Sequence, residues 1–183
     1  MQQRQSKLKS SWKKVKSIKL QACLLPLLWV TFIIGADQLT KFCAERFLLP
    51  IQEGSLYPYG GIGVFRFFGI DLSLVFTVNL GAAWSFFYEY PFALTVIRII
   101  LIMIFSVWLV LNSLRSVVRF CLYSIWAGAV GNLIDALRLG FVRDMIFFEF
   151  WGYPYAIFNL ADVAICLGAV GFLIQYLKDE QLY

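Results

Sequence analysis

The sequence predicts an integral membrane protein, mainly α-helical, with four transmembrane helices and a small outward-facing β-sheet. Three observations carry that prediction. Of 183 residues, 61% are hydrophobic and only 15% charged, where soluble domains run about half and a quarter. The basic charge is concentrated: Arg4, Lys7, Lys9, Lys13, Lys14, Lys16 and Lys19 precede the first apolar run, with no acidic residue among them. Finally, 18 Phe, 9 Tyr and 6 Trp give the aromatic load of a chain that crosses a lipid–water interface.

Taken in order, residues 1–19 form a basic cytoplasmic tail, whose composition reads as unstructured chain held near anionic lipid. A nucleic-acid arm is the weaker reading, because the run stands directly before an apolar segment. The first span covers about 20–40 and is free of charge until Asp37. Like the three later ones, it is near the ~20 residues that cross ~30 Å of hydrocarbon. Its apolar core exceeds the ~7–15 residues of a cleaved signal peptide. Leu20-Gln21-Ala22-Cys23 has the look of a lipoprotein processing box, but here the apolar region follows the Cys instead of preceding it.

The stretch from about 47 to 80 is not membrane-like. Gly54, Pro58, Gly60, Gly61 and Gly63 mark turns, and Val64–Phe68 and Asp71–Val78 are rich in β-branched and aromatic residues, as strands are. The second span, about 91–111, is interrupted by Arg98. The third, about 120–137, contains Gly128, Gly131 and Asn132, and the fourth, about 156–177, holds Asn159 and Asp162 near its start. The positive-inside bias places the tail, the connection with Arg115 and Arg119, and Lys178 in the cytoplasm. Both termini are then inside, and 42–90 and 139–157, with Glu45, Glu53, Asp71, Glu89, Asp144 and Glu149, face outward.

Composition excludes several chemistries. There is no His, so no Ser-His-Asp triad, Cys-His pair or His-ligated metal site can form. Cys23, Cys43, Cys121 and Cys166 lie far apart, which argues against a zinc knuckle or a disulfide scaffold.

A charge inside a span costs ~2.5–3.5 kcal/mol and needs a partner or a task. Asp37 and Lys41 stand four apart, as an i,i+4 ion pair that anchors the helix or as support for a polar site, the reading we favour. Arg98 has no acidic partner nearby in sequence, so it either snorkels or answers a carboxylate on another helix. Asn132 and Asp135 share a helix face, and Asp144 follows after a turn at Gly140. Asn159 and Asp162 share another face, with Asp162 about a turn inside its helix, ~6 Å below the start. Both segments approach the outer boundary, where Asp144 and Asp162 can meet. Two adjacent carboxyls share a proton near neutral pH, and such a pair activates water for peptide hydrolysis. Three other readings stand beside it: helix caps or ion pairs with Arg138 and Arg143, an exporter with intramembrane acids, and a scaffold whose polar residues join helices.

Four blocks then resemble one family, the bacterial lipoprotein signal peptidases (signal peptidase II). They are Asp37-Gln38-Leu39-Thr40-Lys41; Thr77-Val78-Asn79-Leu80-Gly81-Ala82-Ala83-Trp84-Ser85-Phe86; Gly131-Asn132 through Asp135 and Gly140 to Asp144; and Phe158-Asn159-Leu160-Ala161-Asp162. The resemblance implies an aspartic endopeptidase that cleaves lipid-modified prolipoproteins before the diacylglyceryl Cys, in the bacterial inner membrane, with its site near the extracytoplasmic face. It implies an outward β-cradle and a cleft open to membrane lipid. Asp144 and Asp162 resemble the catalytic pair. Asn132, Asp135 and Asn159 resemble the polar residues around it, Asn79 and Gly81 the substrate-cleft loop, and Asp37 and Lys41 the supporting pair. No metal or organic cofactor and no nucleic-acid partner is implied, and one chain holds every proposed group, as a functional monomer would. The family has Arg directly after the third-span aspartate. This chain has Ala136 there, with Arg138 as the candidate substitute.

Overall fold

Four helices are long and apolar enough to cross a bilayer in the computed structural model, which describes residues 2–48, 61–81, 89–112 and 114–180. The turn residues Gly54, Pro58 and Gly60, and the loop-motif residues Trp84 and Phe86, lie outside the described residues. Helix α1 is Gln2–Phe47, α2 Pro91–Leu111, α3 Ser116–Leu139 and α4 Leu160–Glu180. Among the described side chains, the membrane-spanning part of α1 is Leu25–Phe47. The basic arm before it, which composition assigns to unstructured chain, continues the same helical backbone from Gln2. Lys, Arg and Gln are good helix formers, and extending an existing helix carries no nucleation cost.

The central helix is α3, which packs against α1, α2 and α4. Its approach to α4 is close because Gly128 has no side chain: a Cβ there would collide with the Ala161 carbonyl oxygen. Large apolar residues such as Phe92 and Val110 stand more than four-fifths exposed, as expected where the surrounding solvent is lipid and each helix satisfies its own backbone.

A four-stranded antiparallel sheet joins the helices, in the order β1 (Ile62–Phe67), β2 (Ile70–Asn79), β3 (Val142–Phe150), β4 (Tyr153–Pro154). Half of it was not foreseen: residues 142–154 read in sequence only as an outward connection. The signal was absent because Arg143, Asp144 and Glu149 interrupt the apolar run without a clean two-residue alternation, and the first four residues of β3 are buried on both faces. Pairing comes instead from a distant segment, with Thr77 opposite Asp144 and Asn79 opposite Val142.

Two local features aim the chain at the site. At the end of α3, Gly140 takes φ +80° and donates its N–H to the Ala136 carbonyl at 3.2 Å. This left-handed cap turns the chain directly into β3. At the other side, α4 begins at Leu160 and not near 156, because Phe158 is bonded to β3 through Ile146 N–H to Phe158 O at 2.8 Å and the reciprocal bond at 3.0 Å. Asp162 consequently lies in the first turn of α4, not a turn deeper.

Candidate active site

Asn159, just before α4, builds one half of the site. Its side-chain Oδ1 accepts the Asp162 N–H at 3.0 Å, and its own N–H donates to Asp162 Oδ2 at 3.1 Å. This reciprocal pair is a capping box with Asp in the third position, satisfying two N–H groups the helix start would leave orphaned. The other oxygen, Asp162 Oδ1, accepts the Asn132 amide of α3 at 2.8 Å. Asp162 is therefore oriented from two elements, at a helix N-terminus where the backbone dipole favours negative charge.

Asp144 arrives on β3 and is 3% exposed. Its Oδ1 accepts the Asn159 amide at 2.6 Å and its Oδ2 the Asn79 amide of β2 at 3.2 Å. Asn79 is itself held, since its Oδ1 accepts the Gly81 N–H at 2.9 Å. Burial, followed by the negative charge of Asp162, pushes the Asp144 carboxyl up to about 7. Both carboxyls line one cleft of about 510 Å³, together with Asn79, Gly81, Arg98 and Asn132. Apolar side chains complete its lining, among them Phe158, Val163, Ile165 and Leu167.

Behind the pair lies a second polar group. Lys41 is fully buried and donates to Asn132 Oδ1 at 2.8 Å, while its Nζ stands 2.9 Å from Asp37 and 3.7 Å from Asp135. Asp37 in turn accepts the Ala161 N–H at 2.9 Å, tying α1 to the start of α4. Asp135 is bound by Arg143 three ways: from the backbone N–H at 3.1 Å, from Nε at 3.1 Å and from Nη2 at 2.7 Å. The remaining Arg143 nitrogen, Nη1, meets Glu45 at 2.7 Å. These partners hold the Arg143 guanidinium charged above its ordinary range, the Asp135 hydrogen bonds outweighing burial. Gln38 closes the network, donating to Asp135 Oδ1 at 3.2 Å and to the Gly131 carbonyl at 3.1 Å.

The structure thus brings together Asp37, Lys41, Asn79, Gly81, Asn132, Asp135, Asp144, Asn159 and Asp162. Arg138 is exposed, and the guanidinium on Asp135 comes from Arg143. Sequence reasoning passed over Arg143, Gln38 and Glu45 as site supports. The place of Arg143 follows only once β3 is known: successive strand residues point to opposite faces, so a strand that aims Asp144 into the cleft aims its neighbour at what lies behind. Among the described residues, no three His, Cys, Asp or Glu side chains gather as metal ligands would.

Comparison with known proteins locates this architecture. Residues 29–178 match the sequence profile of the family described as signal peptidase (SPase) II. The chain is similar to the lipoprotein signal peptidase of Caldanaerobacter subterraneus subsp. tengcongensis, at 34% identity over 149 residues covering 80% of this chain and 93% of that one. It is also similar to those of Bartonella bacilliformis, at 34% over 85% and 89% of the two chains, and Enterococcus faecalis, at 36% over 81% and 85%. Two solved bacterial membrane enzymes share the fold. One has a TM-score of 0.68 at 24% identity, covering 86% of this chain and 90% of its own. The other has a TM-score of 0.65 at 25%, covering 86% and 95%.

Proposed function

The chain belongs to the signal peptidase II family, and from that premise we propose that it removes signal peptides from lipid-modified prolipoproteins, with Asp144 and Asp162 as its catalytic pair. The observation that carries the assignment is that both carboxyls face one cleft and are held there by neutral amides, Asn79, Asn132 and Asn159. An amide orients a carboxyl without fixing its charge, so the pair can exchange protons as a reaction requires.

In the mechanism we assign, one proton is shared by the pair near neutral pH. Asp144, buried beside a second carboxyl, holds it, and Asp162 at the helix N-terminus carries the negative charge. A water between them loses a proton to Asp162 as its oxygen attacks the scissile carbonyl carbon, while Asp144 donates to the carbonyl oxygen. The tetrahedral intermediate collapses as Asp162 passes its proton to the leaving nitrogen and the diol returns a proton to Asp144. Bonds and protons balance, and no acyl-enzyme forms. The scissile bond is the one before the lipidated Cys, and the lipid chains lie along the apolar wall of Val163, Ile165 and Leu167.

In the orientation we propose from the basic charge, both termini, including the basic tail of residues 1–19, are cytoplasmic, the cleft lies near the extracytoplasmic face of the inner membrane, and the domain of residues 20–183 acts as a monomer. The test is cleavage of a diacylglyceryl-modified prolipoprotein by purified protein in detergent, beside Asp144→Asn and Asp162→Asn checked by thermal melts. Cutting before the lipidated Cys by wild type alone is the expected result. A folded wild type that does not cut, or a variant of full activity, overturns the assignment.

A further inference from the structure

Arg98 is a guanidinium in the middle of an apolar helix, and nothing in the reaction just described uses it. Inserting it costs ~2.5–3.5 kcal/mol. Among the described residues it forms no ion pair that would offset this. Its Nη2 instead donates to the backbone carbonyl of Gly81 at 2.7 Å. Gly81 passes the connection on: its N–H donates to Asn79 Oδ1 at 2.9 Å, and the Asn79 amide donates to Asp144 Oδ2. A continuous run of hydrogen bonds therefore leads from α2 to the carboxyl of Asp144. Among the described residues α2 otherwise packs chiefly on α3.

The charge is placed as tellingly as the hydrogen bond. Arg98 lines the cleft with Asp144 and Asp162, and among the described lining residues it is the one cation. The groups facing Asp144 from the surrounding elements are Asp162 of α4, Asn79 of β2, Asn132 and Asn159 nearby, Lys41 of α1 and Arg98 of α2. Lys41 is engaged by Asp37 and Asn132, and Arg143 by Asp135 and Glu45. Lys41 acts on Asp144 from behind the cleft, whereas Arg98 lines the cleft itself and interacts with the charges of both Asp162 and Asp144.

We propose that Arg98 is a positioning residue of the catalytic centre, pinning the Asn79–Gly81 loop that holds Asp144 and supplying the positive field that lets the carboxyl pair carry a negative charge in a lipid-lined cleft. The inference rests on the catalytic pair proposed above. A nearby cation favours ionised carboxyls, so its removal moves both limbs of the pH–rate profile upward.

The experiment compares wild type with Arg98→Gln, Arg98→Met and Arg98→Lys in detergent, on the lipid-modified prolipoprotein. Met suits an apolar helix, so folding does not hinge on the lost charge. For the two neutral variants the expected result is a shift of both limbs by about one pH unit to higher pH and a fall in kcat of about tenfold, while Lys keeps the limbs in place. A purely structural role lowers the rate without moving the limbs. In parallel, the carboxyl carbon of Asp144 is titrated by NMR, a readout independent of turnover, and its midpoint rises in Gln and Met but not in Lys. Folded neutral variants with unmoved limbs and midpoint overturn the role of Arg98, even if Asp144→Asn is inactive as expected. A wild type that does not cut overturns the catalytic assignment instead, and the NMR titration still decides Arg98.

Discussion

Asp135 and Asp144 lie nine positions apart on either side of one glycine turn, both almost wholly buried, and the fold treats them in opposite ways. Asp135 is surrounded by cations, with Lys41 at 3.7 Å and Arg143 bound through backbone and side chain. Asp144 receives only amides, from Asn159 and Asn79. A carboxylate saturated by cations keeps its charge and acts as a structural tie. A carboxyl held by neutral donors and pressed by a second carboxyl can gain and lose a proton at neutral pH, which a general acid or base must do. The lesson is that burial alone does not mark a catalytic acid; the charge of its partners does.

The largest effect expected from this contrast is on turnover. Asp144→Asn and Asp162→Asn each remove a proton-transfer group, and cleavage of the lipid-modified substrate falls by about 10²–10⁴-fold or to background, with melting unaltered or improved. Asp135→Asn and Arg143→Met act on the other region. Each removes the strongest partner of a buried charge, Glu45 and Lys41 remaining as weaker ones, which costs up to about 3–5 kcal/mol, read as a large drop in melting temperature. If the Asp135 variant keeps wild-type stability and loses only turnover, the division between the two carboxyls fails.

A smaller effect separates them by pH. The Asp144 carboxyl titrates near 7 in the fold against an ordinary 3.8. Between those values the folded protein retains a proton that the unfolded chain releases, so this group lowers stability as pH rises through the window, fully by about pH 8. Asn carries no charge to desolvate. Asp144→Asn is therefore expected to match wild type at pH 4 and to exceed it at pH 8, by up to about 4 kcal/mol, in paired melts. Asp135→Asn should be less stable than wild type at pH 8. An Asp144→Asn protein that is destabilised at pH 8 would show that its carboxylate, too, is a structural tie.

How far this contrast was legible in the sequence depended on range. Asp37 and Lys41 announce their ion pair by spacing on one helix, and Asn159 and Asp162 announce a capped helix start, because both interactions are local. The four spans follow from apolar length. The cation on Asp135 was not legible: Arg138 is nearer on the same helix, yet it points outward, and Arg143 reaches back only because Gly140 reverses the chain and β3 pairs with β2. Register with a distant strand has no signature in a single segment, and so neither β3 nor the roles of Arg143 and Glu45 could be read from spacing. Arg98 was visible as a misplaced charge, but its partner is a backbone carbonyl, which composition never reveals.

The smallest expected effect isolates what makes the Asp135 network strong. Arg115 and Asp179 join the start of α3 to the end of α4 at 2.7 Å, as short as the Arg143–Asp135 contact, but their side chains are 71% and 36% exposed. Water already solvates both groups when they separate, and ions screen the attraction, so an exposed pair contributes about 0–1 kcal/mol. Asp179→Asn should accordingly shift melting far less than Asp135→Asn, and the difference from wild type should shrink further in high salt. The Asp135 effect should persist in the same salt, because screening ions do not reach a fully buried carboxylate. Should the two substitutions cost the same, short ion pairs of any exposure would brace this fold, and the burial of cations around Asp135 would explain nothing about why Asp144 is left with amides.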